Sequence, residues 1–143
     1  MAKYIWFDMD GTIVDLYGEK DWLSNLLNEN PIPYINAKPL LNLQALARVL
    51  NRLTANGYKI CVVSWTSKNA STSYAKKVKT AKREWLARHL STVKFSRIDI
   101  IPYGTPKQIN RKGILFDDEE RNRNAWNGTA YDVQNIIQVL KTF

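Results

Sequence analysis

The 143 residues include a single cysteine and a single histidine. With Cys61 alone no internal disulfide can form, and its place in the apolar run "YKICVV" makes it core filling. His89 falls near the end of a helical pattern, where a cation is mildly favoured, and no chemistry is assigned to it. Long hydrophobic runs are missing too. Asp8 and Asp10 interrupt the first apolar stretch, unlike a secretory leader, and no segment approaches the length of a membrane span. No internal repeat or low-complexity segment breaks the chain. These absences predict a soluble, cytoplasmic protein with no membrane partner. Acids are scarce as well: 13 Asp and Glu face 21 Lys and Arg, a formal charge of +8. Such a field favours anionic partners, whether phosphates, nucleotides or nucleic acid.

What is present is a globular composition. Hydrophobic residues make up 45%, with five Trp, seven Tyr and four Phe. The length predicts one domain, residues 1–143, large enough to bury a core without staples.

The run "IWFDMDGTIVD", Ile5 to Asp15, carries the first chemical signal. It reads as an apolar strand ending on two acids, Asp8 and Asp10. Residues i and i+2 of a strand point to one face, at most roughly 7 Å apart. Both carboxylates then enter one pocket, where they repel unless a cation or a shared proton relieves them. Gly11, directly after them, lets the chain turn sharply.

Four more strand-like runs follow: Tyr58 to Val63, Ile98 to Ile101, Gly113 to Phe116 and Thr129 to Val133. Between them lie helical patterns over Leu40 to Asn56, Ser73 to Leu90, residues 119–126 and residues 133–142. In the second helix Tyr74, Val78, Ala81 and Trp85 form an apolar stripe. Strands alternating with helices predict an α/β fold, a Rossmann-like parallel sheet of about five strands with helices on both faces. Ligands of such sheets sit at the carboxyl ends of the strands. Asp8 and Asp10, Ser64, and Asp117 and Asp118 wait at those ends. Residues 16–39 are the least regular part, with a helix expected over 19–28 that Pro31 and Pro33 break. This segment reads as a small lid or loop insert.

An apolar strand, D-x-D-G-T, a Ser after the second strand, a Lys, and D-D after a later strand together resemble the haloacid dehalogenase superfamily of phosphatases. The resemblance covers nearly the whole chain in the correct order. It implies a Mg²⁺-dependent phosphomonoester hydrolase that works through an aspartyl phosphate. Asp8 would be the nucleophile, and Asp10 would protonate the leaving oxygen and then activate water. Asp8, Asp117 and Asp118 would hold the metal, with Asp10 adding its backbone carbonyl. Backbone N–H groups at Gly11 and Thr12, with the Ser64 hydroxyl, would meet phosphate oxygens. Lys107 in "GTPKQ" is placed as the phosphate-side lysine is in 5′(3′)-deoxyribonucleotidases. Lys112 is the runner-up, but it should emerge at the wrong end of its strand. Asp118 has a second reading, as the cap of the helix beginning near Glu119.

"DMDGTIVDLYG" also places Asp15 as in those deoxyribonucleotidases, a similarity that fades after about residue 18. Neither usual cap insertion has room here, so a capless or minimal-lid form is expected. Trp65, Tyr17 and Trp22 are candidates to stack on a base. The substrate read this way is a phosphorylated small molecule, a nucleotide or one derived from it. The alternatives are a polynucleotide end phosphatase and a non-catalytic phospho-ligand binder, and an intact acid set argues against the latter. "YAKKVKTAKREWLAR" carries Lys76, Lys77, Lys79, Lys82, Arg83 and Arg88 and reads first as a solvated helix face.

Overall fold

A computed structural model describes residues 3–143. Five strands form the main sheet: β1 (Lys3–Phe7), β4 (Tyr58–Trp65), β5 (Phe95–Ile101), β6 (Ile114–Phe116) and β7 (Thr129–Tyr131). Their spatial order is β5-β4-β1-β6-β7, and every pairing is parallel. The α/β reading therefore holds. The chain leaves β1 through β4 to β5 on one side and returns to β6 on the other. That reversal opens a crevice at the carboxyl end of β1, between β4 and β6.

The helices follow the sequence pattern with earlier stops. Helix α3 (Leu43–Ala55) starts later than the leucine periodicity suggests because the Asn42 side chain caps it, accepting from Ala45 N at 3.0 Å. Helix α4 (Thr72–His89) is capped likewise by Ser71. Helices α5 (Glu120–Ala125) and α6 (Ile136–Leu140) are each shorter than the runs that foretold them. Strand β4 runs two residues beyond Val63, so Ser64 lies in the strand and not after it.

The two faces of the sheet are covered unequally. Ile5, Phe7, Ile60, Val62 and Phe116 share a core with α3, α6 and the last turns of α4. On the opposite face, Trp6, Cys61, Val63 and Leu115 pack with Trp126, at the end of α5. The Arg97 and Arg111 guanidinium groups lie 4.9 and 5.6 Å from the Trp6 ring and finish that cover.

Between β1 and α3 come β2 (Val14–Asp15), α1 (Trp22–Leu27), α2 (Ile32–Asn36) and β3 (Lys38–Pro39), with β2 and β3 antiparallel. Helix α2 was not expected, because Pro31 and Pro33 were read as breakers. Pro31 instead occupies the cap and Pro33 the first turn, where a missing N–H leaves no hydrogen bond unmade. Tyr34 of α2 packs with Leu16 against Tyr74, Val78 and Ala81 of α4. Tyr74 donates its hydroxyl to Asn30 O at 3.1 Å, and Arg88 reaches Ile35 O at 2.7 Å. Helix α1, by contrast, buries none of its residues, and Leu23 and Leu27 are 52% and 72% exposed. No helix among the described residues is long and apolar enough to cross a membrane.

Candidate active site

Asp8 follows β1 directly and extends its ladder, donating its N–H to Phe116 O at 3.0 Å. Asp117 follows β6 and does the same, donating to Tyr131 O at 3.2 Å. Both acids are thus held by the sheet itself. Carboxylate oxygens of Asp8, Asp117 and Asp118 lie within 4.8 Å of one another. Lys107, buried in the loop before β6, sits between two of them. Its ammonium donates to Asp8 Oδ1 at 2.9 Å and to Asp117 Oδ2 at 2.7 Å. Asp117 also accepts from Glu119 N and from Asn122 Nδ2.

The loop after Asp8 supports the cluster. Thr12 donates its hydroxyl to Asp8 Oδ2 at 3.0 Å and lies 3.4 Å from Asp118 Oδ1. Gly11 has φ +81°, and a Cβ there would come 2.3 Å from Asp118 Oδ2. Only glycine lets the loop pass so close beneath that carboxylate.

These positions strain the acids' titration. Burial would raise the Asp8 carboxyl, but the Lys107 charge and the hydrogen bonds it accepts outweigh that and hold it below its ordinary value. Burial, and next the Asp8 charge, push Asp117 up to about 6. Burial and the Asp8 charge also push Asp118 up to about 8. The Asp8 charge thus opposes ionisation of both Asp117 and Asp118. Oxygen donors this close, carrying more charge than one lysine offsets, suit a hard divalent ion.

Asp10 is separate from this group. Its Oδ2 accepts from Lys82 Nζ at 2.7 Å, and burial keeps its carboxyl above the ordinary value despite that neighbour. Lys82 also donates to Ser64 Oγ and to Trp65 O, each at 2.7 Å. The Asp10 side chain is thus turned to α4, and the metal role expected of this residue is one for its backbone carbonyl. The solvated-face reading of the basic run is corrected for Lys82. Two turns beyond Tyr74 and one beyond Val78, it lies on the buried row of α4 and is 1% exposed. Lys76, Lys77, Lys79, Arg83 and Arg88 do remain exposed.

Other expected contacts are also redirected. The Gly11 N–H donates to Val14 O at 2.9 Å and the Thr12 N–H to Met9 O at 3.0 Å, so neither is free for a phosphate oxygen. Asp15 accepts from Gly18 N at 3.0 Å, which closes a turn, and it does not line the pocket. Asp118 does not cap α5, whose cap position is Glu119. Lys112 lies at the amino end of β6, where its carbonyl accepts from the Trp6 indole at 3.0 Å.

Asp8, Asp10, Asp117 and Asp118 open into a cavity of about 600 Å³. One wall is formed by Tyr17, Trp22 and the leucines of α1, and the other includes Trp65 and Tyr103. Tyr17 and Trp22 meet edge to face at 5.1 Å. Trp65 is fixed by its indole N–H on Thr105 O at 2.8 Å, with Tyr103 at 5.0 Å. Two cations already lie against its ring, Arg121 at 4.7 Å and Lys107 at 4.9 Å. Of the groups that the sequence did not single out, Lys82 could have been found from the spacing of the α4 stripe. Asn122 and Arg121 carried no such signal.

No family model matches the chain, and no curated protein matches its sequence. Solved structures do resemble it. The D,D-heptose 1,7-bisphosphate phosphatase from Burkholderia thailandensis superposes with a TM-score of 0.51 at 16% identity, covering 86% of this chain and 70% of that one. The same phosphatase from B. bronchiseptica, complexed with magnesium and phosphate, also gives 0.51, at 15% identity and covering 86% and 74%. The chain thus shares the fold of these two phosphatase structures.

Proposed function

We propose that the protein is a Mg²⁺-dependent phosphomonoester hydrolase that forms an aspartyl phosphate on Asp8. The observation that carries this reading is the convergence of Asp8, Asp117 and Asp118 within 4.8 Å at the crevice, with buried Lys107 between two of them. The neighbour's magnesium and phosphate support the same assignment by likeness of fold. Asp8, Asp117 and Asp118 would hold the ion, which when bound offsets the charge of a phosphate dianion beside the carboxylates.

The residues then divide the work. An Asp8 oxygen attacks phosphorus in line; the bond to the ester oxygen breaks as Asp10 gives that oxygen a proton. Water, deprotonated by Asp10, next attacks phosphorus, and the bond to Asp8 breaks. Lys107 stabilises the negative charge at the attacked group. Ser64 donates its hydroxyl to a phosphoryl oxygen.

The whole chain acts in this reading as one domain, with residues 16–39 as its lid. The substrate is a nucleotide or a nucleotide-derived small molecule, supported by the aromatic walls of Tyr17, Trp22 and Trp65. A base stacking on Trp65 would have to move Arg121, whose side chain is 58% exposed. Exposed Lys76, Lys77 and Lys79 favour the polynucleotide alternative, whose activity would fall steeply with salt. Hydrolysis of a panel of nucleotides, oligonucleotides and other phosphate esters, with Mg²⁺ and with EDTA, tests the proposal. Undiminished turnover in chelator overturns it.

A further inference from the structure

Lys82 is the one lysine of α4 that points inward, and its ammonium has no hydrogen left over. The three donors meet Asp10 Oδ2, Ser64 Oγ and Trp65 O, all at 2.7 Å. An ammonium only donates, which fixes the direction of each bond. Ser64 must accept, so its own hydroxyl hydrogen is left for another acceptor, and Ser64 lines the cavity. Asp10 has one oxygen committed and the other, Oδ1, left for chemistry. The lysine stem is buried against the Tyr34 ring, with Nζ 5.3 Å from its centre, so the head group cannot wander. Three groups from β4 and the loop after β1 are thereby registered by one residue on a helix.

We propose that Lys82 is a positioning residue that aims the Asp10 carboxyl at the leaving oxygen and turns the Ser64 hydroxyl toward the phosphoryl group. It touches neither substrate nor the three carboxylates that would hold the metal, and acts through Asp10 and Ser64. Lys107 performs a different task, offsetting the nucleophile and the metal cluster. The proposal rests on the phosphatase reading for its kinetic part.

The test uses Lys82→Met, Asp10→Asn and the double variant in the full chain with Mg²⁺. Methionine keeps most of the buried stem and removes the charge. The constant read is kcat/KM, which covers only the steps up to departure of the leaving group. Two esters are compared: 4-nitrophenyl phosphate, whose leaving group needs little protonation, and an alkyl phosphate, whose leaving group needs it most. Lys82→Met is expected to lower kcat/KM for the alkyl ester by roughly 10²-fold, the scale of misplaced acid catalysis, and for the nitrophenyl ester several-fold less. Added to Asp10→Asn, it should change the alkyl ester's constant little, because the acid it aims is already gone. Equal losses on both esters, or full multiplication of the two losses, overturn the proposal.

Thermal unfolding of the same four proteins provides a readout that needs no turnover. Each single variant leaves one buried charge alone, and the double leaves none. The double should therefore unfold no lower than the worse single variant, and additive losses overturn the pairing. If the unchanged protein hydrolyses neither ester but the unfolding cycle still shows coupling, the phosphatase reading fails and the anchoring of Asp10 stands.

Discussion

Lys82 and Lys107 are both buried and both bonded to carboxylates that line one cavity. Their surroundings make them different instruments. Lys107 bridges Asp8 and Asp117, two of the three acids whose oxygens cluster for a cation. It is a loop's charge brought into an overcrowded group of negative charges. Lys82 grips Asp10, Ser64 and the Trp65 carbonyl from a long helix and stays outside that group. In the proposed reading one lysine shares its acids with the metal, and the other holds the Asp10 carboxylate apart from it. The separation explains how two aspartates a residue apart can hold different roles.

The strongest way to break this contrast is at the acids themselves. Asp8→Asn should reduce turnover to background, while Asp10→Asn should lose roughly 10²–10⁴-fold, as expected of lost acid–base catalysis. Rates assayed on an aryl phosphate with Mg²⁺ check both, and near-wild-type activity in Asp8→Asn would reassign the nucleophile. Next comes Lys107→Met, expected to cost about 10²–10³-fold in kcat through lost electrostatic stabilisation. A mild effect there with a severe one in Lys112→Ala would move the assignment.

Stability sharpens the comparison further. Removing either lysine strands buried carboxylates, a cost of about 3–5 kcal/mol for a broken buried pair. Mg²⁺ should restore much of that loss in Lys107→Met, where the ion takes over the neutralised acids, at about 2.7 kcal/mol for a concentration of 100 Kd. Lys82→Met should gain no more from Mg²⁺ than the unchanged protein does, since Asp10 lies outside the cluster. Equal rescue of both, read by thermal unfolding, would erase the distinction.

A gentler effect concerns pH. Asp118 is raised to about 8 and Asp117 to about 6 in the fold. A raised carboxyl favours the folded state at low pH, and that contribution disappears as pH climbs through the folded value. Without divalent ions the unfolding midpoint should therefore fall between about pH 4 and 8, and Mg²⁺ should flatten the profile. The lowered Asp8 value works below that window and does not reverse the sign. A flat profile in EDTA would contradict the crowding of these acids. The smallest expected change is Trp22→Ala, which should weaken nucleotide hydrolysis by the 1–3 kcal/mol typical of base stacking and spare a small aryl phosphate.

Much of the frame was legible from local pattern. Five apolar runs ending at Phe7, Val63, Ile101, Phe116 and the Tyr131 region became parallel strands, because alternation with helices leaves few other ways to bury them. The convergence of Asp8 with Asp117 and Asp118 could be expected because strand ends of such a sheet meet. What could not be read were contacts made across the fold. That Gly11 and Thr12 spend their N–H groups within their own turn depends on how the loop after β1 closes. That Lys82 faces inward was visible as spacing, but six basic residues in one run concealed it. Pro33 was misread because proline signals a helix start as well as a stop, and only the packing of Tyr34 on α4 distinguishes the two.

The central claim is that phosphorus passes through Asp8. Acid quenching during hydrolysis of a phosphate ester with Mg²⁺, followed by peptide mass analysis, tests it most directly. The account predicts one phosphoryl group on the peptide bearing Asp8, enriched in Asp10→Asn because water attack is slowed, and absent in Asp8→Asn. Steady turnover with no label on Asp8 in either protein would contradict it.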